Sequence, residues 1–236
     1  MGLNMSMPKD IISRALSEGR NFLLEPEAKL LCAYYGIPVT KFKIARNLDE
    51  AKRFASEIGY PVVLKIVSPD VLHKTDVGAV IVNIKNEEEL VRAYNTIMEN
   101  VKKHKPNARI IGMIVQEFVP QSLEVIVGVS KDPQFGHAIM FGLGGIFVEV
   151  LKDVTFRILP ITDKEAREML REVKGYPLLK GYRGREPLDE DAIVDIMIKV
   201  SKMIEENPMI SQLDLNPIIV YTKGAKVVDA RIILET

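Results

Sequence analysis

The chain has 236 residues, and its 32 Lys and Arg balance 32 Asp and Glu, giving a formal net charge of zero. This balance argues against a general nucleic-acid or membrane-surface binder, which would carry a basic excess. No apolar run reaches transmembrane length, the N-terminus lacks the apolar core of a signal peptide, and Cys32 alone makes no disulfide framework. We therefore expect a cytoplasmic protein with one large domain or two lobes.

The first half of the chain alternates helix and strand patterns. Capping boxes at Asn47 with Glu50 and at Asn86 with Glu89 mark the starts of two helices. The predicted elements are, in order, a helix at 8–16, a helix opened at Glu25 and ended by Gly36, a strand at 39–45, a helix at 48–58, strands at 62–67 and 78–84, and a helix from 87 to about 103.

From residue 110 the pattern changes to short strands separated by Pro, Gly and Asp-Pro turns. The predicted strands are Ile111–Phe118, Glu124–Val129, Ala138–Phe141, Phe147–Val150 and Thr155–Leu159. Thr162 with Glu165 caps a helix, a second helix runs from Asp189 to about Glu206, and a strand pair at 211–221 and 225–234 closes the chain. The sequence thus predicts an α+β protein with a seam near residue 115.

The stretch from Val62 to Ile84 holds an unusual combination of residues. Lys65 lies within the β-branched run VVLKIV, where an ammonium group needs a partner because burying an unpaired charge is costly. The polar loop that follows contains His73, which is either an ordinary loop histidine or a nucleophile. A buried cation followed by this loop suggests a phosphate site with a nucleophile or base beside it.

Further candidates each have a structural and a functional interpretation. The glycines of Gly142–Gly145 permit a tight turn, but they also permit a loop backbone close to phosphate. Asp214, Asn216 and Asp229 lie on adjacent predicted strands, and their hard oxygen ligands suit Mg²⁺ bound jointly with nucleotide phosphates. The alternative is a polar strand surface, with Asn216 starting a turn before Pro217.

The segment VQEFVP at 115–120 is apolar with one acid. It is either an ordinary strand end or a hinge whose backbone pairs with adenine while Glu117 or Glu124 holds ribose. The sequence alone leaves both interpretations open.

These motifs together resemble a known family. The chain is similar to proteins of the ATP-grasp fold in five motifs: the lysine in VVLKI, the hinge QEFV, GLGGIFVE, LDLNPIIV and VVDARI. HKTDVGAV and FGLGGIFVEVLKD resemble, more specifically, the nucleotide-binding β subunit of an ADP-forming acetyl-CoA (acyl-CoA) synthetase, which is related to succinyl-CoA synthetase. The resemblance covers about residues 20–236. It implies an N-terminal extension and helix at 1–19 and two α/β lobes, 20–114 and 115–236, with the nucleotide clamped between them.

The resemblance also implies roles for particular residues. Lys65 is expected to contact ATP phosphate, Glu117 and Val119 to hold the adenine end, and Glu124 to hold ribose. Asn216 and Asp229 are expected to ligate Mg²⁺. His73 matches a histidine that relays phosphate to a histidine of the α subunit, and Asp214 matches the acid that pairs with it.

The expected activity is that of an acid–thiol ligase, which interconverts acyl-CoA, ADP and phosphate with acid, CoA and ATP. This chain shows no CoA-binding domain and no second ligase domain, so the resemblance assigns both to an α subunit in an α₂β₂ assembly, without nucleic acid or membrane. Two alternatives remain: a free-standing ATP-grasp carboxylate ligase, which would not need His73, and a non-catalytic nucleotide-sensing module, which would not need Mg²⁺.

Overall fold

The computed structural model describes residues 8–71, 73–145 and 151–235. These residues form two compact units: a larger unit of residues 8–39 and 121–235, and a smaller unit of residues 40–120. Within the described ranges, no helix has the length and apolar character needed to cross a membrane.

The helices and strands follow one another in a mixed order. In chain order they are α1 (Pro8–Ser17), β1 (Phe22–Leu23), α2 (Glu25–Tyr34), β2 (Phe42–Ala45), α3 (Leu48–Ile58), β3 (Val62–Val67), β4 (Val80–Ile84), α4 (Glu87–His104), β5 (Gly112–Glu117), β6 (Leu123–Asp132), β7 (Gly136–Leu143), β8 (Val154–Ile158), α5 (Asp163–Glu172), α6 (Tyr176–Leu179), α7 (Glu190–Glu206), β9 (Ile210–Val220), β10 (Ala225–Val227) and β11 (Ala230–Leu234).

The larger unit is built on an antiparallel sheet with the order β1-β11-β9-β6-β7-β8, and β10 pairs with β9. One face of this sheet is apolar, and it packs against α1, α2, α5 and α7 in a single core. The core contains, among others, Val127, Phe141 and Leu213 from the strands and Leu170 and Met197 from the helices. Because side chains alternate along a strand, the remaining residues of β9 and β11 lie on the other face, away from the helices.

The smaller unit is a four-stranded antiparallel sheet in the order β2-β5-β3-β4. Leu64 and Ile66 of β3 pack with apolar residues of α3 and α4 in a second core. This sheet also has a face away from its helices, and that face carries the alternate residues of β3, including Lys65.

Local signals placed several elements accurately. The helix predicted at 48–58 is α3, and Asn47 accepts a hydrogen bond from the Glu50 amide at 2.9 Å. Thr162 and Glu165 form a full capping box at the start of α5. The strand predicted at Phe147–Val150 lies outside the described residues.

The structure differs from the predicted elements where contacts between distant residues determine the bounds of a strand or the unit to which it belongs. The strand predicted at 225–234 is divided into β10 and β11. Residues 20–39, which the sequence grouped with an N-terminal lobe, belong to the larger unit because β1 pairs with β11 and α2 packs on it.

Candidate functional site

Lys65 is the third residue from the end of β3, a strand that lies between β5 and β4. It lies opposite Val80 of β4 and Ile114 of β5, and it is only 4% exposed. The neighbouring strand also places Gln116, 1% exposed, on the same face. A buried lysine on a central strand has a fixed backbone position, which suits a contact to an anionic ligand.

His73 lies in the loop that joins β3 to β4, and its side chain is exposed. Both ends of this loop are held. The Asp70 carboxylate accepts a hydrogen bond from the Arg109 amide at 2.7 Å, and the Asn100 side chain donates to the Gly78 carbonyl at 3.0 Å. The histidine is therefore presented to solvent between two anchored ends.

The proposed hinge at the end of the smaller unit has one engaged carboxylate. The Glu117 Oε1 atom accepts a hydrogen bond from the Lys41 amide at 2.7 Å, and the Glu117 amide donates to the Lys41 carbonyl at 2.9 Å. Glu117 therefore ties the strand end to β2. The Val119 amide makes no hydrogen bond to any described residue, whereas the Glu117 amide is already paired with Lys41. Val119 is therefore a better candidate than Glu117 for a backbone contact to a nucleobase.

Glu124 is the second residue of β6 in the larger unit, and its side chain is exposed. Gly144 lies directly against its backbone: the Gly144 amide donates to the Glu124 carbonyl at 2.7 Å. A Cβ atom on residue 144 would lie 2.8 Å from the Glu124 Cβ atom. Close packing against Glu124, which neither interpretation of Gly142–Gly145 includes, accounts for the glycine at position 144, and Gly142 is part of β7.

Four polar side chains lie together on the helix-free face of the larger unit. Asp214 of β9 lies opposite Arg231 of β11, and Leu215 lies opposite Ala230. The Asn216 amide donates to the Asp229 carbonyl at 3.2 Å, which continues the same register by one pair. Directly opposite residues share a face, with Cβ atoms roughly 4.5–5.5 Å apart. We call these residues the polar square: Asp214, Asn216, Asp229 and Arg231.

A β-bulge shapes one side of the polar square. Val127 of β6 pairs with Leu215 and Val125 pairs with Ile218, so β9 has one residue more than β6 across this interval. The extra residue falls at Asn216–Pro217, which is therefore part of a strand and does not start a turn. Bulges redirect side chains and occur often beside active sites, and here the bulge exposes the Asn216 amide group.

The charges within the polar square act on one another. Burial and, next, the nearby Asp229 carboxylate raise the pKa of Asp214 above its ordinary value, whereas Arg231 opposes this rise. The contribution of Asp229 to this higher pKa comes from repulsion between the two carboxylates. A cation bound at this edge would relieve that repulsion.

The donor atoms available here fit Mg²⁺ bound together with phosphates. Asn216 and Asp229 provide hard oxygen ligands of the kind that Mg²⁺ prefers. Within residues 8–71, 73–145 and 151–235, no group of three or more His, Cys, Asp or Glu side chains could hold a metal ion by itself. A metal at this position would therefore need further oxygens from a ligand.

The structure brings some of the predicted residues together within one unit. Asp214, Asn216 and Asp229 share the face described above, and Glu124 is on β6 of the same sheet. The predicted residues of the smaller unit are Lys65, His73, Glu117 and Val119.

Two residues were not singled out from the sequence. Arg231 could have been found, because period-two alternation from Asp229 places it on the same face. Asp153 could not: its carboxylate accepts hydrogen bonds from the Lys174 and Gly175 amides, both at 2.8 Å. These partners are distant in sequence, and the contact fastens the end of α5 to the start of β8.

Comparison with known proteins agrees with this architecture. The model of the ATP-grasp domain family matches residues 14–234. The β subunit of the ADP-forming acetate–CoA ligase II of Pyrococcus furiosus is 54% identical over 228 residues, which cover 95% of this chain and 97% of that one.

Solved structures of one archaeal enzyme are also similar. The acetyl-coenzyme A synthetase 1 of Ca. Korarchaeum cryptofilum, in complex with coenzyme A, Ca-AMPCP and HgCl⁺, matches with a TM-score of 0.95 and 53% identity over 97% of this chain and all of that one. A second structure of that enzyme, with coenzyme A and Mg-AMPPCP, has its phosphohistidine segment pointing towards the nucleotide-binding site. It matches with a TM-score of 0.86 and 50% identity over 97% of this chain and all of that one.

Proposed function

We propose that this chain, which belongs to the ATP-grasp family and to the β subunits of ADP-forming acetate–CoA ligases, is a phosphate relay. In this proposal, a phosphohistidine at His73 transfers phosphate between the nucleotide and a partner subunit. The chain is thus one subunit of an acid–thiol ligase. In the proposed reaction, acyl-CoA, ADP and phosphate are interconverted with acid, CoA and ATP.

We propose a role in nucleotide binding for each of four residues. Lys65 contacts the phosphates, a role supported by its fixed position in the middle strands of its sheet. The Val119 backbone pairs with the adenine end, with Glu117 holding the hinge in place through Lys41. Glu124 holds ribose, and its backbone is fixed by Gly144.

The proposed metal ligands are Asn216 and Asp229. Their oxygens would hold Mg²⁺ jointly with nucleotide phosphates, and the bound ion would offset phosphate charge during transfer. The fit is supported by their pairing across β9 and β11 and by the bulge that exposes Asn216.

His73 and Asp214 perform the transfer chemistry in this proposal. A neutral imidazole nitrogen attacks the γ-phosphorus while the other ring N–H is held by the Asp214 carboxylate, which fixes the tautomer and stabilises the positive charge that forms. The exposure of His73 in its loop supports the role of a carrier, because a phosphate on this side chain remains accessible.

The observation that carries the proposal is the polar square. The two proposed magnesium ligands, Asn216 and Asp229, and the separate carboxylate of Asp214 lie side by side on one face of one sheet. A nucleotide sensor would not need the metal ligands, so the polar square favours a catalytic nucleotide site over a sensor. A free-standing ligase would not need His73, and the membership of the chain among the β subunits favours the relay over that alternative.

A partner subunit is part of the proposal. The Pyrococcus relative is named a β subunit, which supports a hetero-oligomer. We propose that an α subunit supplies the CoA-binding and ligase domains in an α₂β₂ assembly and that the complex acts in the cytoplasm.

Reconstitution tests this function. The purified chain is assayed for acyl-CoA formation from acetate, CoA and ATP, alone and with the α subunit encoded in the same organism. We expect activity only in the complex. His73→Ala should abolish it, because the phosphate carrier is then absent, and Asp214→Ala should reduce it by about 10²–10⁴, the usual contribution of an acid, base or nucleophile-orienting group. His104→Ala, which changes an exposed histidine on α4, is the matched control. Robust synthesis by the isolated chain, or only a twofold loss in both variants, would contradict the proposal.

A further inference from the structure

Arg231 has a position that the proposed mechanism does not yet use. It lies directly opposite Asp214 on the adjacent strand and two residues after Asp229, so the three side chains share one face of the sheet. Its side chain is exposed, and it forms no hydrogen bond or ion pair with any described residue.

Three other arginines of the larger unit have structural partners. Arg20 forms a two-pronged contact with Glu27, Arg157 pairs with Glu172, and Arg167 bridges Asp163 and Asp191. In each case the guanidinium group is occupied by a carboxylate of the protein. Arg231 is available for an external anion, and it is available beside the residues that are proposed to handle phosphate.

The two carboxylates of the polar square create a need for a positive charge nearby. Asp214 and Asp229 would repel an incoming phosphoryl group. Mg²⁺ held by Asn216 and Asp229, the proposed metal ligands, would offset this repulsion at one edge of the square. The Asp214 edge is roughly 7 Å away along the strands, since each residue advances about 3.4 Å. Arg231 is the cation at that edge.

We propose that Arg231 is a further catalytic residue whose guanidinium group binds the phosphoryl group as it passes between ATP and His73. This inference rests on the proposed function. The planar guanidinium fork matches two oxygens of a phosphoryl group. Negative charge spreads over the phosphoryl oxygens during transfer. An arginine placed here therefore stabilises the transition state more strongly than it stabilises the complex with ADP.

The step balances as follows. The bond between the γ-phosphorus and the bridging oxygen breaks, and ADP leaves with that electron pair. A bond forms between the phosphorus and the lone pair of a His73 ring nitrogen. The ring keeps the proton on its other nitrogen and gains a positive charge, which the Asp214 carboxylate stabilises in the proposed relay, while Arg231 holds the phosphoryl oxygens. The reverse step regenerates ATP.

The test compares Arg231→Gln and Arg231→Lys with the unmodified complex. The matched control is Arg171→Gln, because Arg171 is an exposed arginine of α5, which packs on the other face of the sheet. Two quantities are measured: the rate at which label from γ-labelled ATP appears on protein histidine under rapid quench, and the affinity for Mg·ADP by calorimetry.

We expect Arg231→Gln to slow labelling by about 10²–10³, the usual effect of removing one preorganised donor from a transition state. Arg231→Lys should keep part of the rate, since the charge remains but the fork is lost. Mg·ADP affinity should change less than threefold in all variants, and Arg171→Gln should label at the normal rate.

Three results separate the possibilities. Labelling of Arg231→Gln within threefold of normal would overturn the role of Arg231 while leaving the relay intact. An equal loss of labelling rate and Mg·ADP affinity would also overturn it, because the residue would then serve ground-state binding. Absence of histidine label in the unmodified complex would instead refute the proposed function itself.

Discussion

Replacing Gly144 by alanine tests how β6 is held in place. A Cβ atom at this position would lie 2.8 Å from the Glu124 Cβ atom and 3.2 Å from both its carbonyl carbon and oxygen. Two of these atoms belong to the backbone, so rotation of a side chain cannot relieve the contact. The Gly144 amide also donates to the Glu124 carbonyl at 2.7 Å, and the required shift would stretch this hydrogen bond.

The expected cost follows from these contacts. Overpacking costs about 1–3 kcal/mol, and a weakened hydrogen bond adds about 0.5–1.5 kcal/mol. Gly144 does not have a positive φ, so alanine restricts the unfolded chain without straining the folded backbone and returns about 0.4–1 kcal/mol. The steric term prevails, and we expect a net destabilisation of roughly 1–3 kcal/mol.

Urea unfolding followed by circular dichroism measures this effect, and calorimetry measures ADP affinity. The control is Gly145→Asn, because Gly145 has a φ of +62° and, among residues 8–71, 73–145 and 151–235, no atom lies within 4 Å of an added Cβ; asparagine tolerates this conformation. Gly144→Ala should also weaken ADP binding if Glu124 holds ribose, whereas Gly145→Asn should not. Gly144→Ala stability within 0.5 kcal/mol of normal, on the order of the smallest packing cost, would refute the steric reasoning.

Three further predictions concern single side chains. Asp229→Ala should weaken Mg·ADP binding at least roughly tenfold with an unchanged circular dichroism spectrum; unchanged affinity by calorimetry would remove the metal assignment. Asp153→Ala should destabilise the larger unit by about 2–5 kcal/mol in urea unfolding, because two amides lose their acceptor, whereas Asp153→Asn, which keeps one acceptor oxygen, should cost less. Burial raises the pKa of Cys32 to about 12, so a thiol reagent at pH 8 should modify it only after denaturation; rapid modification of the folded chain would show that the thiol is accessible.

The sequence predicted elements well where the signal is local. The bounds of α3 and β3 follow from a cap at Asn47 and from the β-branched run 62–67, and neither depends on distant residues. The grouping of β1 with the larger unit could not be predicted, because it depends on pairing between Phe22 and Ile233. Patterns within a short window carry no information about such a partner.

In the candidate site, too, local sequence patterns predict some features, whereas features that depend on distant residues could not be predicted. Asp214, Asn216 and Asp229 were selected as a set, and the register of β9 with β11 brings them to one face. The bulge at Asn216 depends on the count of residues on β6, so the sequence left a turn as an alternative. The contact between Glu117 and Lys41 was likewise invisible, since it links residues of two separate strand regions.

The central claim is that His73 carries phosphate, and locating the label tests it most directly. The complex of this chain with its α subunit is mixed with γ-labelled ATP, quenched within milliseconds, digested and analysed by mass spectrometry under alkaline conditions. The relay predicts acid-labile, base-stable label on His73, its loss in His73→Ala, and its retention in His104→Ala and His137→Ala. Label found only on the α subunit at every time point, with equal labelling in His73→Ala, would contradict the account.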